Sequence, residues 1–280
     1  MVEKQPPRPN YDYEVNRLIA FFEDANIQTR ELLAGLYTQD KVTRAMLTSY
    51  QKQLDAIIKQ LREQGVQWSE QAITNAALNG IADSLFALGL AATYEEALSI
   101  ATLSKVNQAY VTAQIADTQS DILAVTQNVD RQTRALISRI YAEQLRAQLS
   151  TGSNSIRQTK SAVSANLQRE LKGRANTAIV DAAGRRWKVR NYVDMLAQTK
   201  AMQAHREASR NTALEEGARY GRISKHNAKD KCSLWESKIV KLDPNAHGDY
   251  PYIDDVPTKE IFHPRCRHIV TPIILPTEEE

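Results

Sequence analysis

From Pro9 to about Ser150 apolar residues recur at the spacing of a helix face, and this rhythm confines the first half of the chain to packed helices. Val15, Leu18, Ile19 and Phe22 form one stripe; Val42, Met46, Tyr50, Leu54, Ile57, Ile58 and Leu61 form a second. Asp40 stands as the N-cap of that second run and Gly65 as its end. Ser69 and Glu70 open a third segment that Gly89 closes, and Thr93 starts a short fourth with Tyr94, Ala97 and Leu98. From Lys105 to Leu149, Ile122, Val125, Val129, Leu136, Ile140 and Leu145 share a stripe, with a break expected at Asp117 to Asp121. Aromatics are only 6% of the chain, while Ala, Gln, Leu and Thr are plentiful. Straight-chain residues and Ala lose little freedom in a helix, so the composition agrees with the period.

Ser150 to Ser155 reads as a loop, and a further helix follows from Ile156 to Gly173. The period then changes. Thr177 to Asp181 and Arg186 to Arg190 flank a turn at Gly184 and predict a β-hairpin. A helix is expected from Asn191 to about Gly217, with Tyr192, Met195 and Leu196 on its apolar side. Strands are expected at Trp235 to Leu242 and Ile269 to Leu275, around a Pro- and Asp-rich loop from Asp243 to Thr258. The fold class is α+β, with a long, mainly helical body followed by a small α+β module containing a hairpin and short strands. The division expected is a flexible arm at 1–10, a helical body at 11–172, an α+β module at 173–275 and an acidic disordered tail at 276–280. The few aromatics in the body predict weak cooperativity without a partner.

The opening residues have no apolar core of a signal peptide, and Ala76 to Ala92 is broken by Asn79, Asp83 and Ser84, so neither secretion nor membrane insertion is expected. No phosphate loop or internal repeat is present. The net charge of +3 conceals a basic middle: between Lys172 and Lys231, 14 Lys and Arg face 6 Asp and Glu. Such an excess attracts phosphate backbones without reading base sequence. Arg185, Arg186, Lys188 and Arg190, crowded on the hairpin, are the candidate contacts to non-specific DNA.

The chemistry-bearing residues gather at the end: His226, Cys232, His263, Cys266 and His268 hold both cysteines and three of the five histidines. Three readings stand side by side: a zinc site from Cys232, His263, Cys266 and His268, with His226 as a further donor; a Cys232 to Cys266 bridge; and a reduced, hydrogen-bonded structural cluster. A Cys–His dyad at Cys266 would need a third, orienting residue that spacing does not supply. In a strand, Cys266 and His268 would share the inward face, with Arg265 and Arg267 on the other. Asp230, Asp254 and Asp255 read as solvated turn formers, and Trp187 and Trp235 as core anchors on strands.

Ile223-Ser-Lys-His226, Asp230-Lys-Cys232, Trp235-Glu-Ser-Lys-Ile239 and Phe262-His-Pro-Arg-Cys-Arg-His268 together resemble the C-terminal module of tailed-phage minor capsid or head morphogenesis proteins. That family includes the F protein of phage Mu, and the branch called minor capsid protein two is the nearer likeness. Tyr11 to Arg17, Val180 to Trp187 and Tyr192 to Met195 also look like that branch. Relatives often carry Cys where Lys229 stands, Asn where Arg265 stands, and an Arg-Thr-Glu motif where this chain reads Gln198-Thr199-Lys200. The resemblance implies a low-copy, non-enzymatic virion protein, made in the host cytoplasm, that enters the procapsid with the portal and meets capsid or scaffold components and DNA inside the head. A nuclease working through His226, His263 and His268 is the competing reading.

Overall fold

The computed structural model of the chain describes residues 4–38, 43–149, 179–180 and 186–275. Among these residues, five α-helices and five short strands run in the order α1 (Asp12–Thr38), α2 (Arg44–Ala87), α3 (Tyr94–Ile100), α4 (Lys105–Leu149), β1 (Ile179–Val180), β2 (Arg186–Trp187), α5 (Val189–Glu215), β3 (Tyr220–Ile223), β4 (Ile239–Lys241) and β5 (Val270–Ile273). The fold is therefore α+β, as the sequence pattern predicts. Among the described residues, no helix is long and apolar enough to cross a membrane.

Local chemistry explains the helix ends. Thr43 Oγ1 accepts from Met46 N, and Thr93 Oγ1 accepts from Glu96 N, each capping the helix that follows. The α2 end at Gly89 and the α5 end at Gly217 use the same device. Each glycine adopts a positive φ, +77° and +80°, and the next residue's N–H reaches back five positions, Leu90 to Leu85 O and Ala218 to Ala213 O.

Two expected breaks do not occur. Helix α2 runs through Gly65, where a Cβ would come within 2.7 Å of Ile122 Cγ2; this glycine makes room for a neighbour instead of ending a helix. Helix α4 is continuous across Asp117 to Asp121. Buried Thr118 and Thr126 lie on it, and their hydroxyls donate to Gln114 O and Ile122 O one turn back, so they pack with no unpaired polar atom. Asp40, the loop at 150–155, the helix expected at 156–173, Gly184 and the tail at 276–280 lie outside the described residues.

By their contacts the residues group into two units, each discontinuous in sequence. One unit comprises 16–68 and 119–194. Its core is Leu32, Leu33, Leu36, Leu54, Ile58, Ile137 and Ile140, and it holds the antiparallel pair β1–β2 with register Ile179↔Trp187. The hairpin expectation is met, but β2 ends at Trp187 and Val189 already begins α5.

The other unit comprises 1–15, 69–118 and 195–280. Its α2 and α5 segments meet through small residues: Ala76, Ala77, Ala201, Ala204 and Ala208 are fully buried, and Ser84 Oγ donates to Ser209 O at 2.8 Å. Beneath this contact lies a polar line. The Tyr11 hydroxyl donates to His205 Nδ1 (2.7 Å), His205 Nε2 faces Asp83 Oδ2 (2.9 Å), and the Tyr94 hydroxyl donates to Asp83 Oδ1 (2.8 Å). The N-terminal segment is fastened to the same unit by Lys4 Nζ on Ala91 O and Arg8 Nη2 on Lys225 O.

The three-stranded antiparallel sheet of this unit has the order β4-β3-β5. Its central strand, β3, was not expected, because Gly221 interrupts the β-pattern of Tyr220 to Ile223. The glycine is required there: a Cβ would lie 2.4 Å from Val270 Cγ1. Trp235 to Leu242 is a strand only at Ile239–Lys241, since Ser237 takes a φ of 65°.

Candidate functional site

The five Cys and His residues converge beside that sheet. Cys232 sits in a 3₁₀ turn, Lys231–Leu234, whose start is capped by Asp230: its Oδ1 accepts from Cys232 N at 3.0 Å. His263 to His268 is not a strand. Cys266 N donates to His263 O (2.9 Å), with Pro264 second and Arg265 third in a turn where Arg265 has φ 68°, the pattern of a type II turn. Proline favours the second position of such a turn as well as a strand entry, so the sequence signal was ambiguous. The inside–outside alternation still holds, with Cys266 and His268 buried and Arg265 and Arg267 exposed.

An Arg in the left-handed region is strained, whereas Asn tolerates it. Arg265→Asn is expected to stabilise the protein by about 1 kcal/mol, read as a shift in urea midpoint. A neutral or destabilising result would mean that the Arg265 side-chain contacts outweigh the strain.

The site is tightly connected. Cys232 Sγ lies 3.2 Å from His263 Nε2 and 3.9 Å from Cys266 Sγ. Cys266 Sγ lies 3.4 Å from His268 Nδ1, and His268 Nε2 lies 3.1 Å from Glu236 Oε1. The same carboxylate oxygen accepts the N–H groups of His226 and Ala228 at 2.8 and 2.9 Å. The His226 ring stacks on His268 with centroids 4.4 Å apart, and its Nε2 meets Ser224 Oγ at 3.0 Å. Both cysteines are free and buried. A cavity of about 380 Å³ opens at the cluster, lined also by Lys229 and Asp230.

Electrostatics separates the two thiols. Burial, the neighbouring Cys266 sulfur and Asp230 push Cys232 well up. Burial also pushes Cys266 up, but hydrogen bonds from His268 and the backbone outweigh it and bring the thiol down to about 7. His268 is raised, because Cys266 and Glu236 outweigh its burial. Glu236 is held at about 2: its two backbone donors and His268 overcome desolvation. His226 falls to about 4 through burial and the positive charge of His268.

Sequence reasoning named all five cluster residues but missed Glu236, the group that orients His268. It lies inside Trp235 to Ile239, yet no spacing rule links it to a ring 32 positions away. Asp254 is also more than a turn former: it pairs with Arg210 through both oxygens, at 2.8 and 3.1 Å. Trp235 is off the strand and half-buried, its indole N–H on Glu260 Oε2.

The four hairpin cations are not brought to one described site. Arg185 lies outside the described residues, Arg186 pairs with Val180 in the β1–β2 ladder, Lys188 is exposed, and Arg190 is engaged by Glu23. Elsewhere in the basic middle, Lys200 pairs with Asp117 and Arg210 with Asp254.

No curated protein and no solved structure matches the chain. The family model of phage minor capsid protein 2 matches residues 39–277, taking in the helices from α2 onward and the whole sheet with its Cys/His cluster. With most of its length matched, the chain belongs to the phage minor capsid protein 2 family and is a phage minor capsid protein, a component of the virion.

Proposed function

We propose that the protein is a non-catalytic part of the phage head, assembling with portal and capsid or scaffold proteins and lying against packaged DNA inside the particle. The observation that carries this reading is the family match over 39–277, which embraces helices and sheet module together. Two further features support it. Exposed Lys188, Lys225, Lys229 and Lys231 remain available to phosphates after the internal pairs of the basic middle are made. The thiols and imidazoles of the cluster are turned onto one another and onto Glu236, the arrangement of a structural clasp. Delivery with the DNA at ejection belongs to the same proposal.

Co-expression with the portal protein of the same phage tests the assembly part: the chain is expected to co-purify with portal and to be found in purified heads. Its absence from both would end that reading. For DNA, charge reversal at Arg185, Arg186 and Lys188 should weaken binding to random-sequence duplex and reduce the salt slope by about 0.9 for each phosphate that is no longer neutralised. Arg190 is left intact because Glu23 already engages it. Binding that is unaffected removes the hairpin from the DNA contact surface. Metal-dependent cleavage of DNA or RNA by the pure chain, abolished by His226→Ala or His268→Ala, would replace the structural reading with the nuclease one.

A further inference from the structure

We infer that Cys232, His263 and Cys266 form a tetrahedral zinc site, with the Asp230 carboxylate at its fourth position. Independently of the assembly reading, three ligand atoms from these residues, two thiol sulfurs and one imidazole nitrogen, lie within 4.8 Å of one another. Tetrahedral zinc with Zn–S near 2.3 Å and Zn–N near 2.0 Å separates two sulfurs by about 3.8 Å and a sulfur from a nitrogen by about 3.5 Å. The Cys232 to Cys266 separation is 3.9 Å and the Cys232 to His263 separation is 3.2 Å, both near those values, and the His263 ring has to close toward Cys266 from within the 4.8 Å that bounds the group.

The histidine is set for the task. His263 Nδ1 lies 2.9 Å from Pro264 O, and a carbonyl only accepts, so Nδ1 carries the proton and Nε2 presents its lone pair to the sulfurs. A ligating His whose other nitrogen donates to a backbone carbonyl is the usual arrangement in metal sites. On the exposed side, Asp230 Oδ2 lies 3.4 Å from the same Nε2. Its Oδ1 caps the turn that carries Cys232, so the carboxylate is held beside the place where the ion would sit. A cation bound by the two sulfurs and Nε2 would thus have this carboxylate within reach as its fourth donor.

The surroundings suit a dithiolate. Two thiolates and a carboxylate around a divalent ion leave one net negative charge. The Arg206 guanidinium stands near Cys266, stacks over Phe262 at 4.9 Å, and keeps its Nη1 buried without a hydrogen-bond partner. His268, oriented by Glu236, faces Cys266 Sγ as a supporting hydrogen-bond partner outside the ligand set. Soft sulfur with imidazole in a tetrahedral frame selects zinc over magnesium or calcium, which take oxygen donors. The ion would staple the 3₁₀ turn at Cys232 to the type II turn at His263, closing the chain across the Asp243 to Thr258 loop.

The test is the metal content of the full-length chain purified under reducing conditions, with Co²⁺ exchanged into it as an optical probe. One zinc per chain is expected, together with the intense visible bands of tetrahedral cobalt and sulfur-to-cobalt charge transfer. Cys232→Ser, Cys266→Ser and His263→Ala should each reduce zinc to background. Asp230→Asn should keep it with at least about tenfold weaker affinity. The wild-type measurements need no variant to fold. A zinc-free chain that gives only octahedral cobalt absorption overturns the proposal, as does a zinc-free chain with a Cys232–Cys266 disulfide. A Cys266→Ser variant that still holds one tetrahedral metal per chain removes Cys266 from the ligand set and overturns it equally.

Discussion

Glu236→Ala is expected to destabilise the sheet-bearing unit by about 3 to 5 kcal/mol, the cost of removing one partner from a buried ion pair. One oxygen of this carboxylate receives the His226 and Ala228 N–H groups and His268 Nε2, and the Glu236 and His268 side chains are only 8% and 5% exposed. Alanine leaves three donors without an acceptor: His268 Nε2 on a buried ring, and the amides of half-buried His226 and Ala228 beside the cavity. Glu236→Gln keeps the acceptor and loses the charge, so it should cost less. The pH dependence follows from the directions of the shifts. Glu236 is depressed to about 2, so its contribution is complete above the ordinary carboxylate range and is lost as pH falls from about 4.5 towards 2. His268 is raised, so its contribution is complete below about 6.5 and is lost as pH rises through its folded value. The pair therefore stabilises most between about pH 4.5 and 6.5. Urea unfolding across that range, with hydrogen exchange at the Ala228 amide to place the loss, checks both statements. An alanine variant within about 1 kcal/mol of wild type would show that the carboxylate is dispensable.

Gly80→Ala should cost a comparable amount, about 3 to 5 kcal/mol, by forcing two helix segments apart. A Cβ on Gly80 would lie 2.1 Å from His205 O and 2.9 Å from its carbonyl carbon. These are backbone atoms, so α5 has to move as a body. The move strains the Ser84–Ser209 contacts at 2.7 and 2.8 Å and the His205–Asp83 contact at 2.9 Å. The sign is diagnostic, because Ala is favoured over Gly in a helix interior by about 1 kcal/mol. Gly35→Ala serves as the control. Its Cβ meets only the end of the Tyr50 ring, 3.3 Å away, and the change should be close to neutral or stabilising. Thermal unfolding of both variants tests the pair; equal melting temperatures would mean that the close approach at Gly80 carries no constraint.

Much of this architecture was legible in the sequence. Val15, Leu18, Ile19 and Phe22 form the buried stripe of α1 that their spacing announces, and Thr93 and Gly89 mark a start and an end through caps formed with immediate neighbours. The concentration of Cys and His in the last fifth of the chain pointed to the site because few other roles need so many such groups together. Each of these signals is local: a period, a cap or a composition acts over a few residues and is written there.

Only the tertiary structure decided the rest. Gly65 and Gly221 look like interruptions in their own segments and prove to be clearances for Ile122 and Val270, residues far away in the chain. Thr118 and Thr126 are polar by type, yet pack in a buried face because helix carbonyls one turn back accept their hydroxyls. Glu236 becomes the hub of the cluster through donors from a loop and from a ring 32 positions on, and His263 is turned toward Cys232 by a type II turn that the sequence presents equally well as a strand entry. Residue type and period settle which segments are helical and which groups carry chemistry. Which of those groups meet depends on where distant backbones come close enough to touch, and that is set by the packing of the whole unit.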